Sequence, residues 1–460
     1  MRTFSIRTLG CKVNQYESQQ IREFLEHLGL CPAEPPSPPD LVVVNTCCVT
    51  HTASSKSRQY IRHARKEYPD ALIIVSGCLP TVSIGELKIP TENVHVIRDR
   101  TGLAATLKHL VSGQAVAPVS RSSQYCPNHS IKAKNGFKIK HKNKLCDNDL
   151  ELPILNLFKD HTRAFLKVQD GCDGYCSYCI VPKTRPFVHS KPVEKVLREA
   201  QALVNSGHKE IVLTGVFLGA YGRDSVRRKN WPHQQNDRLA ELLDKVAQVP
   251  NLNRIRLSSL EPGDVTARLL DTFSANSNIM PHLHLSLQSG SDTILKKMCR
   301  QYTLDEFRKV VESIKNRLDR PAITTDIIVG FPGETQVDFE KTVDIANEVG
   351  FAKMHIFSYS PRPGTAAVKS NNMVDRKTLK RRSERLHKVG NELGRAFRRQ
   401  FIGETAEILI ENDTDQIYGR SERYFQVFIE KKAGYPKKND LVRAKLIENR
   451  ENEMAGIALT

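Results

Sequence analysis

Over residues 1–112, short apolar runs alternate with amphipathic stretches. Residues 3–9, 41–45 and 72–76 are rich in β-branched and aliphatic side chains and close at Gly, Asn or Ser. Between them, 15–28 and 54–67 place apolar residues at helical spacing. Strand signals separated by helix signals predict an open α/β sheet with parallel strands. The pattern stops over 113–160. The stretch 121–149 holds seven Lys or Arg and two Asp with little apolar periodicity, and reads as a basic linker.

A second α/β series then begins. Strands are expected at 165–169, 210–213, 254–258, 282–285, 322–329 and 353–357, with helices at 192–206, 238–249, 262–274, 304–316 and 336–349. Six βα units over 161–400 predict an incomplete (β/α)6 barrel, where chemistry gathers at the carboxyl ends of the strands. Its tail, 375–400, is helix-like and carries ten Lys or Arg against three acids. Residues 401–460 change character again. Strand signals at 406–411, 424–430, 441–448 and 455–459 predict a small all-β barrel. The expected fold class is therefore α/β, with an all-β unit at the end.

Composition narrows the function classes. Hydrophobic residues at 39% and charged residues at 26% exclude wholesale disorder. No apolar run approaches the roughly 20 residues that cross a bilayer, and the first ten residues lack a secretory apolar segment. A cytosolic chain without a membrane partner is expected. The net charge of +18 favours a polyanion such as nucleic acid. Residues 401–460 hold nine Lys or Arg and eleven acids, so RNA contact there would need a local patch such as Arg420, Arg423 and Tyr424. Eleven cysteines, an odd number, point to metal or redox chemistry rather than disulfides.

The sharpest motif is Asp170-Gly-Cys172-Asp-Gly-Tyr-Cys176-Ser-Tyr-Cys179, just after the first barrel strand. Three closely spaced thiolates can each hold one iron of a cubane and leave the fourth iron open. The competing reading is a structural zinc loop, which needs a fourth ligand such as Cys299 or a histidine. A second trio, Cys11, Cys47 and Cys78, follows three predicted strands one by one. Parallel neighbours would bring these residues to one edge of the sheet, a pattern expected of a second [4Fe–4S] cluster. Cys31, Cys48, Cys126, Cys146 and Cys299 are read as spectators.

The C-x3-C-x2-C triplet resembles the signature of the radical S-adenosylmethionine (radical SAM) superfamily. By that resemblance the open iron binds S-adenosylmethionine, and the reduced cluster cleaves it to a 5′-deoxyadenosyl radical. Strand-end residues Gly215, Ser259, Glu261, Gln288 and Asp326, with the segment 330–334, would then contact cofactor or substrate. Two three-cysteine sites, an α/β domain first and a small β domain last, resemble the methylthiotransferases. In that family the N-terminal cluster handles sulfur while the radical activates a C–H bond. One S-adenosylmethionine gives its methyl group and another serves as radical source. An electron donor of flavodoxin or ferredoxin type and a sulfur source are implied as partners, and the last domain is similar to the TRAM module.

Three branches of that family act on threonylcarbamoyladenosine in tRNA, on isopentenyladenosine in tRNA, or on an aspartate of a ribosomal protein. Thr8-Leu-Gly-Cys11-Lys-Val-Asn-Gln-Tyr-Glu-Ser18, Lys56-Ser-Arg-Gln59 and His161-Thr-Arg-Ala-Phe-Leu-Lys-Val-Gln-Asp170 are similar to the first branch. Its target lies beside the anticodon, and the methylthio group goes to C2 of the adenine. Phe217, Pro186 and His189 depart from the family pattern. Another radical SAM enzyme with an auxiliary cluster is the alternative activity, and a zinc-containing RNA-binding protein the non-catalytic one.

Overall fold

The computed structural model describes residues 1–82, 92–98, 100, 102–112, 152–230, 237–430 and 436–459. The stretch 121–149, with Cys126 and Cys146, lies outside the described residues. The first sheet comprises β1 (Thr3–Thr8), β2 (Cys31–Pro32), β3 (Leu41–Thr46), β4 (Leu72–Gly77) and β5 (Val94–Val96). All strands are parallel, in the order β2-β1-β3-β4-β5. Every residue of β3 is buried because helices cover both faces. Val43 packs with Ile21 and Leu25 of α1 (Lys12–His27) and with Leu107. Val42 and Val44 face Ile61 of α2 (His51–Glu67). The two short edge strands were not legible in the apolar pattern.

The central unit holds β6 (Arg163–Asp170), β7 (His189–Ser190), β8 (Glu210–Gly215), β9 (Arg254–Leu257), β10 (His282–His284), β11 (Ala322–Val329) and β12 (Lys353–Ser358). β6, β8 and β9 pair in parallel, as do β10, β11 and β12. Bridges Ile255↔Ile279 and Leu260↔Leu285 join the two sets. β7 is antiparallel and pairs with β6 on its outer edge. Among the described residues β12 does not pair with β6, so the barrel stays open along that seam. One helix differs from expectation. Pro262–Asp264 forms a single tight turn, and the helix proper is Ala267–Ala275. Thr266 accepts from the Leu269 amide and starts that helix anew.

The N-terminal domain covers the seam. Tyr16 of α1 donates to Glu199 at 2.6 Å on the β6 side. On the β12 side, the His51 amide donates to Ser360 and Arg362 donates to Ser54, both at 2.9 Å.

At the opposite end lies a closed barrel of β13 (Thr405–Asn412), β14 (Tyr418–Ser421), β15 (Gln426–Ile429), β16 (Leu441–Asn449) and β17 (Met454–Ala458). The single strand expected at 424–430 is instead part of a hairpin, with Tyr424 at φ 71° between β14 and β15. This barrel seats on the amino ends of the central strands. Arg254 bonds Glu407 at 3.0 Å and the Arg420 carbonyl at 2.9 Å. Arg256 bonds the Ser421 and Glu422 carbonyls. Tyr424 stacks on His282, with centroids 4.1 Å apart and planes 7° from parallel. Arg423 pairs with Asp319 at 2.8 Å and Arg420 with Glu411 at 3.2 Å. Arg420, Arg423 and Tyr424, expected as a local RNA patch, are thus engaged in interdomain and local contacts. The stacking and ion pairing that suit such residues to RNA also suit them to a protein surface.

Candidate metal centres and barrel cavity

The first cysteine trio follows from strand register. Thr8 lies beside Asn45, Asn45 beside Ser76, and Thr46 beside Gly77, so β1, β3 and β4 end level. Cys11, Cys47 and Cys78 come within three residues of those ends. Asn14 ties the ends together, donating to the Leu9 carbonyl at 2.8 Å and the Thr46 carbonyl at 2.9 Å. Gly10 sits at φ 113°, and a Cβ there would stand 2.9 Å from the Cβ of Cys47. The close approach of the Cys11 and Cys47 segments therefore requires glycine. Burial raises the Cys47 thiol to about 11, helped by Cys78 and Cys11 as neighbouring negative charges. Cys48 turns away, its S–H directed to the Cys78 carbonyl at 3.4 Å.

The second trio occupies the loop after β6. The Cys172 amide donates to the Arg185 carbonyl at 2.8 Å, and the Gly174 amide reaches the Cys172 sulfur at 3.4 Å. Ser177 pins the loop to the 297–298 segment through the Lys297 and Met298 carbonyls. Arg300 donates to the Cys176 sulfur at 3.3 Å and pairs with Glu261 at 2.6 Å. Burial pushes Cys172 and Cys179 up to about 12, with the neighbouring thiols adding to the rise. Such thiols stay protonated in the metal-free chain, so binding iron must release protons.

The donor set fits an iron–sulfur cubane. Each trio supplies three free thiols. Among the described residues no three His, Cys, Asp or Glu converge to hold a single metal ion. A structural zinc needs its sulfurs about 2.3 Å from one centre, whereas a cubane takes each thiolate on a separate iron. Cys299, the possible fourth zinc ligand, is exposed, with its S–H toward the Lys297 carbonyl at 3.9 Å.

The two trios meet at Arg185. Its guanidinium binds Glu17, Asp170 and Asn14, while Asn14 accepts from the Cys11 thiol at 3.8 Å. Ile180, next to Cys179, packs in one small core with Cys78, Leu79 and Cys48. α3 (Leu79–Val82) and α4 (Val181–Thr184) lie against each other there. Arg185, Arg300 and Lys12 were not singled out from sequence. Only the inclusion of Lys12 and Glu17 in the opening motif hinted at their place.

The strand-end residues divide. Ser259 and Asp326 line one cavity of about 250 Å³ inside the barrel, with Lys12, Arg163, Arg256, His284, His355 and Tyr424. Burial opposes the Asp326 charge, but the His284 hydrogen bond and the charges of His284, His355 and Lys12 outweigh it and lower its pKa. Glu261 is engaged by Arg300 and Arg228 outside that cavity. Gln288, at φ 61°, bridges to Ile327. Gly215 makes room for Gln169, whose Oε1 accepts from the Phe217 amide at 2.7 Å. The departure at Phe217 therefore leaves that backbone contact intact. His189, another departure, pairs with Asp170 through β7.

Known proteins resemble this chain along most of its length. Residues 166–346 match the model of the Radical SAM superfamily, and residues 3–97 match uncharacterized protein family UPF0004. The threonylcarbamoyladenosine tRNA methylthiotransferase MtaB of Bacillus subtilis (strain 168) is 34% identical, over 93% of this chain and 90% of its own. MtaB of Thermotoga maritima is 36% identical, over 89% and 87%. A tRNA-2-methylthio-N(6)-dimethylallyladenosine synthase of Ehrlichia canis is 30% identical, over 99% and 100%. Among solved structures, the radical S-adenosylmethionine methyltransferase TsrM of Kitasatospora setae shares the fold, with TM-score 0.54 and 14% identity over 80% of this chain and 74% of that one.

Proposed function

The chain belongs to the radical SAM methylthiotransferase family, and we propose that it places a methylthio group on C2 of N6-threonylcarbamoyladenosine in tRNA. The family uses S-adenosylmethionine and [4Fe–4S] clusters. The observation that carries the reading is the meeting of two three-thiol sites at Arg185, one on each side of a domain junction. Cys172, Cys176 and Cys179 are proposed to hold the cluster that serves the radical source, and Cys11, Cys47 and Cys78 the one that handles sulfur. When bound, these groups supply the radical that activates the C–H bond and the sulfur that replaces its hydrogen.

The chain's own residues position the parts. Arg300 holds the Cys176 end of the loop against Glu261, and Asn14 fixes the Cys11 turn against β3. The division of labour follows the sequence, with the sulfur-handling site in 1–112, the radical site in 161–400 and a small barrel in 401–460. Residues 113–160 join the first two. Among the described residues no helix is long and apolar enough to cross a membrane. A cytosolic setting suits the free thiols. A reductant of flavodoxin or ferredoxin type and a separate sulfur source complete the proposed partners.

Exposed cations on the helix Arg376–Arg399 support tRNA binding. Arg376, Lys377, Arg381, Lys388, Arg395 and Arg399 face solvent, whereas Arg382 and Arg398 are buried in protein contacts. Such a stripe holds phosphates without reading sequence.

Mass spectrometry of tRNA nucleosides from cells lacking the protein tests the assignment. Loss of 2-methylthio-N6-threonylcarbamoyladenosine supports it. Retention of that nucleoside with loss of the isopentenyl counterpart would move the enzyme to the other tRNA branch.

A further inference from the structure

Lys12 directly follows Cys11 and opens α1, yet its side chain lines the cavity inside the central barrel. The arginines of that cavity already have carboxylate partners. Arg256 pairs with Glu210 at 2.9 Å, and Arg163 pairs with Glu411 at 2.9 Å. The one carboxylate lining the cavity, Asp326, is held by His284 at 3.3 Å. The Lys12 ammonium makes no hydrogen bond or ion pair with any of the described residues. A half-buried ammonium with a free set of donors beside a polar cavity is a site for an anion.

We propose that Lys12 recognises the carboxylate of the threonyl group on the substrate adenosine. This rests on the substrate reading above and extends it to the residue that selects for charge. The target nucleoside carries its only carboxylate on the N6 substituent, and a threonyl group is small enough for a cavity of about 250 Å³. An ammonium placed at the domain junction can meet that carboxylate while the adenine faces the cysteine sites. A neutral hydrocarbon substituent would leave the ammonium desolvated and unpaired, so the same contact disfavours it.

The test uses the full-length, iron-reconstituted protein and an anticodon stem-loop in two forms. One carries N6-threonylcarbamoyladenosine, and the other carries the same group with its carboxylate converted to the primary amide. Binding is read by fluorescence anisotropy, and methylthiolation by KM and kcat. For the unaltered protein, the amide should bind about 10- to 100-fold more weakly, as expected for loss of a charge-assisted hydrogen bond. Lys12→Gln should weaken the carboxylate form by a similar factor, leave the amide form unchanged, and act through KM. Lys12→Arg should recover part of the loss.

Equal binding of both forms by the unaltered protein overturns the proposal without any substitution. A Lys12→Gln variant that weakens both forms equally overturns it too, since a general disturbance does not distinguish the ligands. Iron content of each variant shows whether the neighbouring Cys11 site survived. Failure of the unaltered protein to methylthiolate the carboxylate stem-loop would instead defeat the substrate reading.

Discussion

Arg185 grips Glu17, 168 residues earlier in the chain, through two hydrogen bonds of 2.7 and 2.8 Å. Its backbone carbonyl meanwhile receives the Cys172 amide at 2.8 Å. One residue therefore fixes the distance between the N-terminal domain and the cluster loop. Both partners are buried, and Asp170 and Lys167 complete the network. Arg185→Met removes the cation and leaves two buried carboxylates with Lys167 alone. The expected loss is about 3–5 kcal/mol of stability, measured by denaturant unfolding. Arg185→Lys should rescue it incompletely, since an ammonium cannot reproduce the forked contact.

The same network sets an acid limit. Burial opposes the Glu17 charge, but Arg185 and Lys167 outweigh it and lower the pKa from 4.5 to about 2. A carboxylate depressed in the folded state contributes stability above its unfolded pKa and loses it as pH falls toward the folded value. Docking of the N-terminal domain should therefore weaken between about pH 4.5 and pH 2, seen as faster proteolysis at the junction. Glu17→Gln should flatten that dependence. An unchanged profile in the variant would point to a different group.

Iron counts separate the two sites. The reconstituted protein should hold roughly eight irons, and either Cys176→Ala or Cys47→Ala about four. Cys176→Ala should abolish S-adenosylmethionine cleavage. Cys47→Ala should leave cleavage in place and stop methylthiolation. Full cleavage in the first variant would remove the assignment of the loop trio.

The stack of Tyr424 on His282 gives the C-terminal barrel a structural duty. Tyr424→Ala should destabilise the protein by about 3 kcal/mol, through lost aromatic packing and a void under the barrel. The slope of log tRNA affinity against log salt should stay the same in the fraction that remains folded. Thermal unfolding and filter binding, run on one preparation, distinguish these two effects.

The long basic helix predicts the opposite behaviour. Replacing Arg381, Lys388 and Arg395 with Gln should weaken tRNA binding and leave stability nearly unchanged. If all three contact phosphates, the slope of log affinity against log salt falls by about two to three. An unaltered slope would make the stripe a plain solvated surface.

Much of this architecture was legible in the sequence because strand ends and cysteines coincide. β1, β3 and β4 follow strong aliphatic runs, so Cys11, Cys47 and Cys78 could be placed at one sheet edge from spacing alone. The tight turn at Pro262–Asp264 and the hairpin at Tyr424 depended on local polar capping and backbone conformation, which periodicity does not register. Arg185, Arg300 and Lys12 were hidden for another reason. Each reaches a site built by distant segments, and a single cation in a basic chain carries no mark of its surroundings. The protein contacts of Arg420, Arg423 and Tyr424 are not marked in the sequence, because affinity for phosphate and affinity for a carboxylate-bearing protein face draw on the same side chains.

The open seam of the central barrel bears on how the molecule comes into being. His51 meets Ser360 across 309 residues, so the wall beside the last strand is finished only when most of the chain has been made. The N-terminal domain, residues 1–112, meets this late segment only after most of the chain has followed it. If the two halves were supplied as separate polypeptides, that wall would depend on association between chains.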